Sequence, residues 1–277
     1  MIKLIVIDLD GTLLNHDKEI SDGNKEALEK AIKRGIGVSI STGRSYISAK
    51  EYIEELKLDI PVVYQNGALI LHGAEKNEIL KAIKLNSKHA RTIILEAKKE
   101  NVNCVLYRDF FEFPDMHIEK IPDTPYTSYY ENNHFRIRVC DNLLDYVDHG
   151  GVVEVALEGP ERKIIKVVEK TGIISEEVSM IKNNTIEGHS FYEFFGPEVR
   201  KSIGLNYLRK VSGVSKNEVA YIGDNYNDLD VMKEAAFSVA MNNAPDDVKK
   251  HANFVTNKNN NNNGVAEAIE EILKEND

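Results

Sequence analysis

Leu4-Ile5-Val6-Ile7-Asp8-Leu9-Asp10-Gly11-Thr12-Leu13-Leu14 places a strand, a pair of acids and a turn in one line. Leu4 to Ile7 is an apolar, β-branched run of the kind that forms a buried strand. It ends in two carboxylates spaced i, i+2. Strand side chains alternate, so Asp8 and Asp10 are expected on the same side of the strand end. Gly11 then permits a sharp turn. Two neighbouring acids repel and each loses hydration, and a divalent cation is the simplest offset. The plainer alternative is an Asp-Gly turn with both acids in solvent.

Outward from this stretch, the pattern predicts a helix from about Ser21 to Arg34, with Ser21 as N-cap and Gly35 as its stop. A second strand, Ile36 to Ile40, runs into Ser41-Thr42-Gly43-Arg44 before a helix over Tyr46 to Leu56. A hydroxyl, a Gly and an Arg before a helix N-terminus suit an oxyanion or phosphate. Pro61 to Tyr64 is a third strand, followed by Gln65-Asn66-Gly67 and another strand over Ala68 to Leu71. The β-α-β-α-β order predicts a mainly parallel, doubly wound α/β sheet, which binds ligands beyond the carboxyl ends of its strands.

The middle of the chain reads differently. A helix over Ser87 to Glu100 and a strand over Val102 to Tyr107 precede an irregular stretch to Asn133. Phe135 to Val139 alternates as a half-solvated antiparallel strand would. Val152 to Leu157 reads as a strand and Glu161 to Lys170 as a helix. Val178 to Ile181 and His189 to Phe195 are expected to pair as a hairpin. An inserted α+β domain over residues 83–187 is expected, between two parts of one core, 1–82 and 188–277.

Then the first pattern resumes. A helix over Val199 to Val211 carries Lys201, and a strand over Val219 to Ile222 leads into Gly223-Asp224-Asn225-Tyr226-Asn227-Asp228. A second acidic strand end in the same sheet strengthens the metal reading, although Asp224 or Asn227 could simply cap the next helix. Lys258 to Gly264 holds five consecutive Asn, read as biased loop composition with no packing role.

Composition bounds the function. The 277 residues suffice for two domains, and 42 % hydrophobic with 29 % charged residues predicts a globular protein. Thirty-five basic against forty-five acidic residues give a net charge of −10, which argues against nucleic acid or an anionic membrane as main partner. A small anionic substrate stays compatible, because local Lys, Arg and metal can reverse the field within a cleft. Asp8 and Asp10 interrupt what would be the apolar part of a signal peptide, and no run approaches a transmembrane span. Cys104 and Cys140 form no CxxC and read as reduced, packed thiols in a cytoplasmic protein.

Taken in order, Asp8-Leu9-Asp10-Gly11-Thr12-Leu13, Ser41-Thr42-Gly43-Arg44, Gln65-Asn66-Gly67-Ala68, Lys201 and Gly223 to Asp228 resemble the motifs of the haloacid dehalogenase superfamily. The likeness is closest to Cof-type phosphatases, which carry a large α/β cap. Val239 to Ala244 and Gly264-Val265-Ala266 also resemble their C-terminal blocks. The resemblance implies that Asp8 is a nucleophile forming an aspartyl-phosphate, and that Asp10 protonates the leaving oxygen and then activates water. It implies Mg²⁺ held by Asp8, the backbone carbonyl of Asp10 and Asp224, with Asp228 behind the metal. Thr42, with backbone at Leu9 and Gly43, Lys201 and Asn227 would bind the phosphoryl group. An anionic nucleophile approaching an anionic ester needs such cations. Asp10 would need a raised pKa, expected from burial beside the nucleophile.

Two departures stand out: Ser202 where a Gly follows the motif Lys, and Asn259 to Asn263 where the family is acidic. The second is expected to lie far from the chemistry. The implied protein is a Mg²⁺-dependent phosphatase of small phosphorylated metabolites, a monomer or weak homo-oligomer. Its rivals are a phosphomutase of the same superfamily and a signalling module in which aspartyl-phosphate is a switch.

Overall fold

The computed structural model describes residues 1–72, 78–173 and 176–276. The chain divides into two compact units, Met1–Lys81 with Arg200–Asp277, and Ala82–Val199. The first unit opens with β1 (Leu4–Ile7), buried throughout, then α1 (Asp22–Lys33) and β2 (Gly37–Ile40). The Ser21 side chain caps α1 by accepting the Asn24 N–H. After α2 (Tyr46–Leu56), β3 (Val62–Tyr64), β4 (Leu69–His72) and β5 (Glu78–Ala82) form a small sheet in that order.

The inserted unit contains α3 (Ser87–Glu100), β6 (Asn103–Tyr107), β7 (Met116–Ile118), α4 (Thr127–Asn132), β8 (Ile137–Val139), β9 (Glu154–Pro160), α5 (Glu161–Thr171), β10 (Ser179–Ile186) and β11 (His189–Phe195). Its six-stranded sheet runs β10-β11-β9-β6-β7-β8. Ile93, Ile94 and Ala97 of α3 and Ile164 and Val167 of α5 pack on Val155 and Leu157. The hairpin turns at Glu187 and Gly188, both at positive φ (49° and 77°).

Three expectations change here. The second boundary, expected between residues 187 and 188, falls inside that hairpin. β11 pairs with both β9 and β10, so the division lies at Val199/Arg200 instead. The strand expected over Phe135 to Val139 is confined to Ile137–Val139 and pairs in parallel with β7, with α4 in the connection between them. The stretch read as irregular contains β7 and α4, too short for a periodic signal.

The chain re-enters the first unit with α6 (Lys201–Val211), β12 (Val219–Gly223), α7 (Leu229–Glu234), β13 (Phe237–Ala240), α8 (Asp246–Lys249), β14 (Phe254–Val255) and α9 (Gly264–Asn276). The central sheet is all parallel, ordered β14-β13-β12-β1-β2, and a parallel bridge from Ser41 to Val63 brings β3 to its edge. Leu4, Val6 and Tyr221 pack against Leu205 and Leu208 of α6 and Val231 and Met232 of α7. Strand order reverses at β1, which lies between β12 and β2, so the crevice for ligands opens at the ends of β1 and β12.

The asparagine run does have a packing role, contrary to its reading as filler. Asn260 is buried and its Nδ2 donates to Leu14 O at 2.8 Å, while Asn261 Oδ1 accepts the His16 N–H at 2.9 Å. The thiols of Cys104 and Cys140 are free. Among the described residues no helix is long and apolar enough to cross a membrane.

Candidate active site

The two acidic strand ends meet. Asp8 follows β1 and its N–H donates to Ile222 O of β12 at 3.0 Å, which locks the neighbouring strand ends together. Beyond β12, the Asp224 and Asn225 N–H groups both donate to Asp228 Oδ2 at 2.9 Å. Gly223 makes room for this: a Cβ there would stand 2.5 Å from Asp228 Oδ2. The cap of the following turn is Asn225, whose Oδ1 accepts the Tyr226 N–H at 2.7 Å. Capping therefore does not account for Asp224 or Asn227.

Lys201, the first residue of α6, is fully buried between the two strand ends. Its Nζ donates to Asp8 Oδ1 and to Asp228 Oδ1, each at 2.6 Å. The Tyr221 hydroxyl also donates to Asp228 Oδ1 at 2.6 Å. Carboxylate oxygens of Asp8, Asp224 and Asp228 lie within 4.8 Å of one another. Two buried acids, Asp8 and Asp228, and the half-buried Asp224 thus cluster near one lysine. Burial pushes the Asp8 carboxyl up to about 7; Lys201 opposes this, and Asp228 and Asp10 add to it. Burial and then the charges of Asp8 and Asp228 hold Asp224 well above the usual carboxylate range. Burial works to lower Lys201, but its two carboxylate partners prevail and keep it charged.

These residues fit a divalent cation. The cluster carries excess negative charge out of water, and its donors are hard oxygens of the type Mg²⁺ prefers. Asp224 is presented by close packing: Thr12 Oγ1 donates to its Oδ1 at 2.8 Å, and a Cβ on Gly11 (φ +77°) would lie 2.3 Å from its Oδ2. Asp228 has its oxygens occupied by Lys201, Tyr221 and two backbone N–H groups, so it buttresses the others.

Asp10 departs from expectation. Arg44 grips it at two points, Nε to Oδ2 at 2.5 Å and Nη2 to Oδ1 at 2.7 Å, and Lys18 Nζ reaches Oδ1 at 2.7 Å. Burial would raise its pKa, but Arg44 and Lys18 overcome that and hold the carboxyl well below the usual range. The expected raised pKa is absent from this arrangement because the partners are cations. Arg44, read as part of a phosphate cradle, also donates from Nη1 to Ser48 O at 3.1 Å.

Thr42 is buried, and its Oγ1 accepts the Arg44 N–H at 3.1 Å. Asn66 N–H donates to Thr42 O at 2.9 Å, and Asn227 Nδ2 to Asn66 Oδ1 at 3.2 Å. Gly43 lies beside both amides, where a Cβ would be 3.3 Å from Asn66 Nδ2 and 3.7 Å from Asn227 Nδ2. Gln65, Asn66 and Gly67 all hold positive φ (44°, 54° and 104°), and such strain concentrates at functional sites. Leu9 is buried, its carbonyl accepting the Leu14 N–H at 2.9 Å. Ser202 is buried too, and its N–H donates to Asp230 Oδ2 at 3.0 Å, anchoring the start of α6. Sequence reasoning missed Thr12, Lys18, Tyr221 and the Arg44–Asp10 contact. Of these, only Thr12 had a signal, its place in the Asp-Gly turn.

Comparison with known proteins adds independent findings. A family model of haloacid dehalogenase-like hydrolases matches residues 5–269. YwtE of Bacillus subtilis strain 168, a 5-amino-6-(5-phospho-D-ribitylamino)uracil phosphatase, is 30 % identical over 295 residues, covering 98 % of both chains. The crystal structure of a haloacid dehalogenase-like hydrolase from Bacteroides thetaiotaomicron matches with a TM-score of 0.81 at 29 % identity, over 98 % of this chain and 100 % of that one. The HAD subclass IIB sugar phosphatase BT4131 shares the fold, with a TM-score of 0.80 at 19 % identity over 98 % and 99 % of the two chains.

Proposed function

This chain belongs to the haloacid dehalogenase-like hydrolases and is a phosphatase of their Cof type, and on that premise we propose that it hydrolyses small phosphorylated metabolites in a Mg²⁺-dependent reaction through an aspartyl-phosphate on Asp8. The observation that carries this reading is the cluster of Asp8, Asp224 and Asp228 beside the buried Lys201.

In this reading a carboxylate oxygen of Asp8 attacks phosphorus, the bond to the leaving oxygen breaks, and water then hydrolyses the acyl phosphate to regenerate Asp8. Asp8, the backbone carbonyl of Asp10 and Asp224 hold Mg²⁺, which supplies positive charge against the phosphoryl oxygens. Lys201 stays protonated beside Asp8 and screens the same repulsion. Thr42, Asn227 and the backbone of Leu9 and Gly43 bind phosphoryl oxygens. Asp10 delivers the proton to the leaving oxygen; for this it must first exchange Arg44 and Lys18 for the substrate and take up a proton from solvent. Each of these residues belongs to the unit of residues 1–81 and 200–277. We assign substrate choice to the inserted unit, residues 82–199.

The test is a phosphate-release screen over sugar phosphates, nucleotides and cofactor phosphates, including 5-amino-6-(5-phospho-D-ribitylamino)uracil, with and without Mg²⁺. Release that requires Mg²⁺ and stops with EDTA is expected. Equal release in EDTA, or a requirement for a bisphosphate activator with no phosphate released, would overturn the reading.

A further inference from the structure

Thr12 supports one oxygen of Asp224, and the other faces Asn243, a residue of the loop after β13. Asn243 Nδ2 donates to Gly11 O at 2.8 Å and lies 3.5 Å from Asp224 Oδ2. The far side of the same amide is occupied as well: Asn243 Oδ1 accepts the Asn260 N–H at 3.1 Å. The orientation of the amide is forced, since Gly11 O only accepts and the Asn260 N–H only donates. Asn260 is itself buried, and its Nδ2 donates to Leu14 O at 2.8 Å. Two asparagines therefore grip the turn from Gly11 to Leu14 at both ends, Asn243 at Gly11 and Asn260 at Leu14. This turn carries the Thr12 hydroxyl that donates to Asp224.

We propose that Asn243 is a positioning residue for Asp224, and that the asparagine run acts through it, with Asn260 setting the amide that orients the carboxylate for Mg²⁺. The proposal rests on the metal reading of the preceding section and deepens it. A half-buried carboxylate that repels its neighbours tends to rotate away from them; donors on both of its oxygens oppose that rotation. Groups that hold metal ligands in this way typically change metal affinity by about 10- to 100-fold when removed. The run departs from an acidic family pattern, and amides suit this place better. An acid at Asn260 would lose the Nδ2 donor that Leu14 O accepts and add negative charge near a cluster that already has too much.

The test measures Mg²⁺ binding without substrate, by titration calorimetry at neutral pH, beside a thermal melt of each protein. Asn243 is exposed, so Asn243→Ala removes the amide without opening the core. It should weaken Mg²⁺ binding about tenfold or more while the melt stays cooperative. Asn260→Ala should weaken binding by a smaller factor, and the double variant should bind no more weakly than Asn243→Ala alone. Asn262→Ala is the control in the same run; its Nδ2 donates to Asn259 Oδ1 on the surface, and its binding should match wild type. A folded Asn243→Ala with wild-type affinity overturns the proposal. Multiplying effects in the double variant overturn the route from Asn260 through Asn243. Should Asn260→Ala fail to fold, Asn243→Ala still decides the main claim. Wild type that binds no Mg²⁺ overturns the metal reading itself, and so separates the two failures.

Discussion

Two buried groups of charges, one in each unit, are built in opposite ways. In the inserted unit Arg136 and Asp115 are both buried and joined by two hydrogen bonds, 3.0 and 2.7 Å long. In the other unit one lysine faces three acids. The first arrangement is balanced: each charge offsets the other's lost hydration, and nothing further is required of it. The second is unbalanced, and only a proton or a bound cation relieves it. A buried ion pair is thus no sign of a site by itself, whereas acids crowded within reach of a single cation are a stronger one.

The largest expected effect separates chemistry from architecture. Asp8→Asn removes the nucleophile but relieves repulsion in the cluster, so it should lower turnover by about 10³-fold or more while the protein stays folded. Phosphate release above about 1 % of wild type would break the assignment of Asp8. Arg136→Met tests the other unit. It leaves Asp115 buried beside an apolar chain, and the thermal or urea melt should show a loss of about 3–5 kcal/mol. Adding Asp115→Leu should restore most of that loss, while Mg²⁺ affinity matches wild type in both variants. If the double variant stays as unstable as the single one, the balanced-pair account is wrong.

A sharper form of the comparison lies within the cluster. Asp224→Asn should weaken Mg²⁺ binding by at least about tenfold and raise the melting temperature in EDTA, since it removes a repelling charge. Asp228→Asn should do the reverse to stability, because Lys201 loses one of its two carboxylate partners. A cost of about 2–3 kcal/mol is expected for a hydrogen-bonded charge so disturbed. Equal stability changes in the two variants would show that the acids do not divide as ligand and buttress.

Much of this was legible along the chain, for a physical reason. β1 and β12 are buried strands that end in acids, and the hydrophobic run, the i, i+2 spacing and the following Gly are all local features. The parallel core follows from β-α-β order, which is also local. What escaped is set across the fold. Arg44 lies 34 residues from Asp10, and nothing near either shows that they pair. Tyr221 looks like one more strand residue until its hydroxyl meets Asp228. The end of the inserted unit was misjudged because β11 suits either sheet by pattern, and only its partners β9 and β10 decide. The composition of the asparagine run points to a solvated loop, whereas Asn260 is as buried as the apolar residues around it.

The smallest expected effect is one of pH, and its sign follows from the excess of acid. The Asp8 carboxyl is raised in the folded protein from an ordinary 3.8 to about 7. Between those values the folded chain keeps a proton that the unfolded chain has released. Stability falls with pH wherever the native state binds more protons, so this contribution is lost as pH rises from about 4 to about 7 and is level above that. Asp224 is shifted in the same direction and adds to the slope. Asp10, held low by Arg44 and Lys18, has the opposite sign, but it acts below its ordinary value and outside this window. In EDTA the melting temperature of wild type, referred to that of Asp8→Asn at each pH, should therefore drop by a few degrees across the window. That corresponds to about 1–3 kcal/mol in a chain of this size. Saturating Mg²⁺ should flatten the drop, because the cation takes over the role of the proton. A difference in EDTA that is flat, or that rises with pH, would show that the three acids are already neutralised by their surroundings and would remove the distinction between the two units.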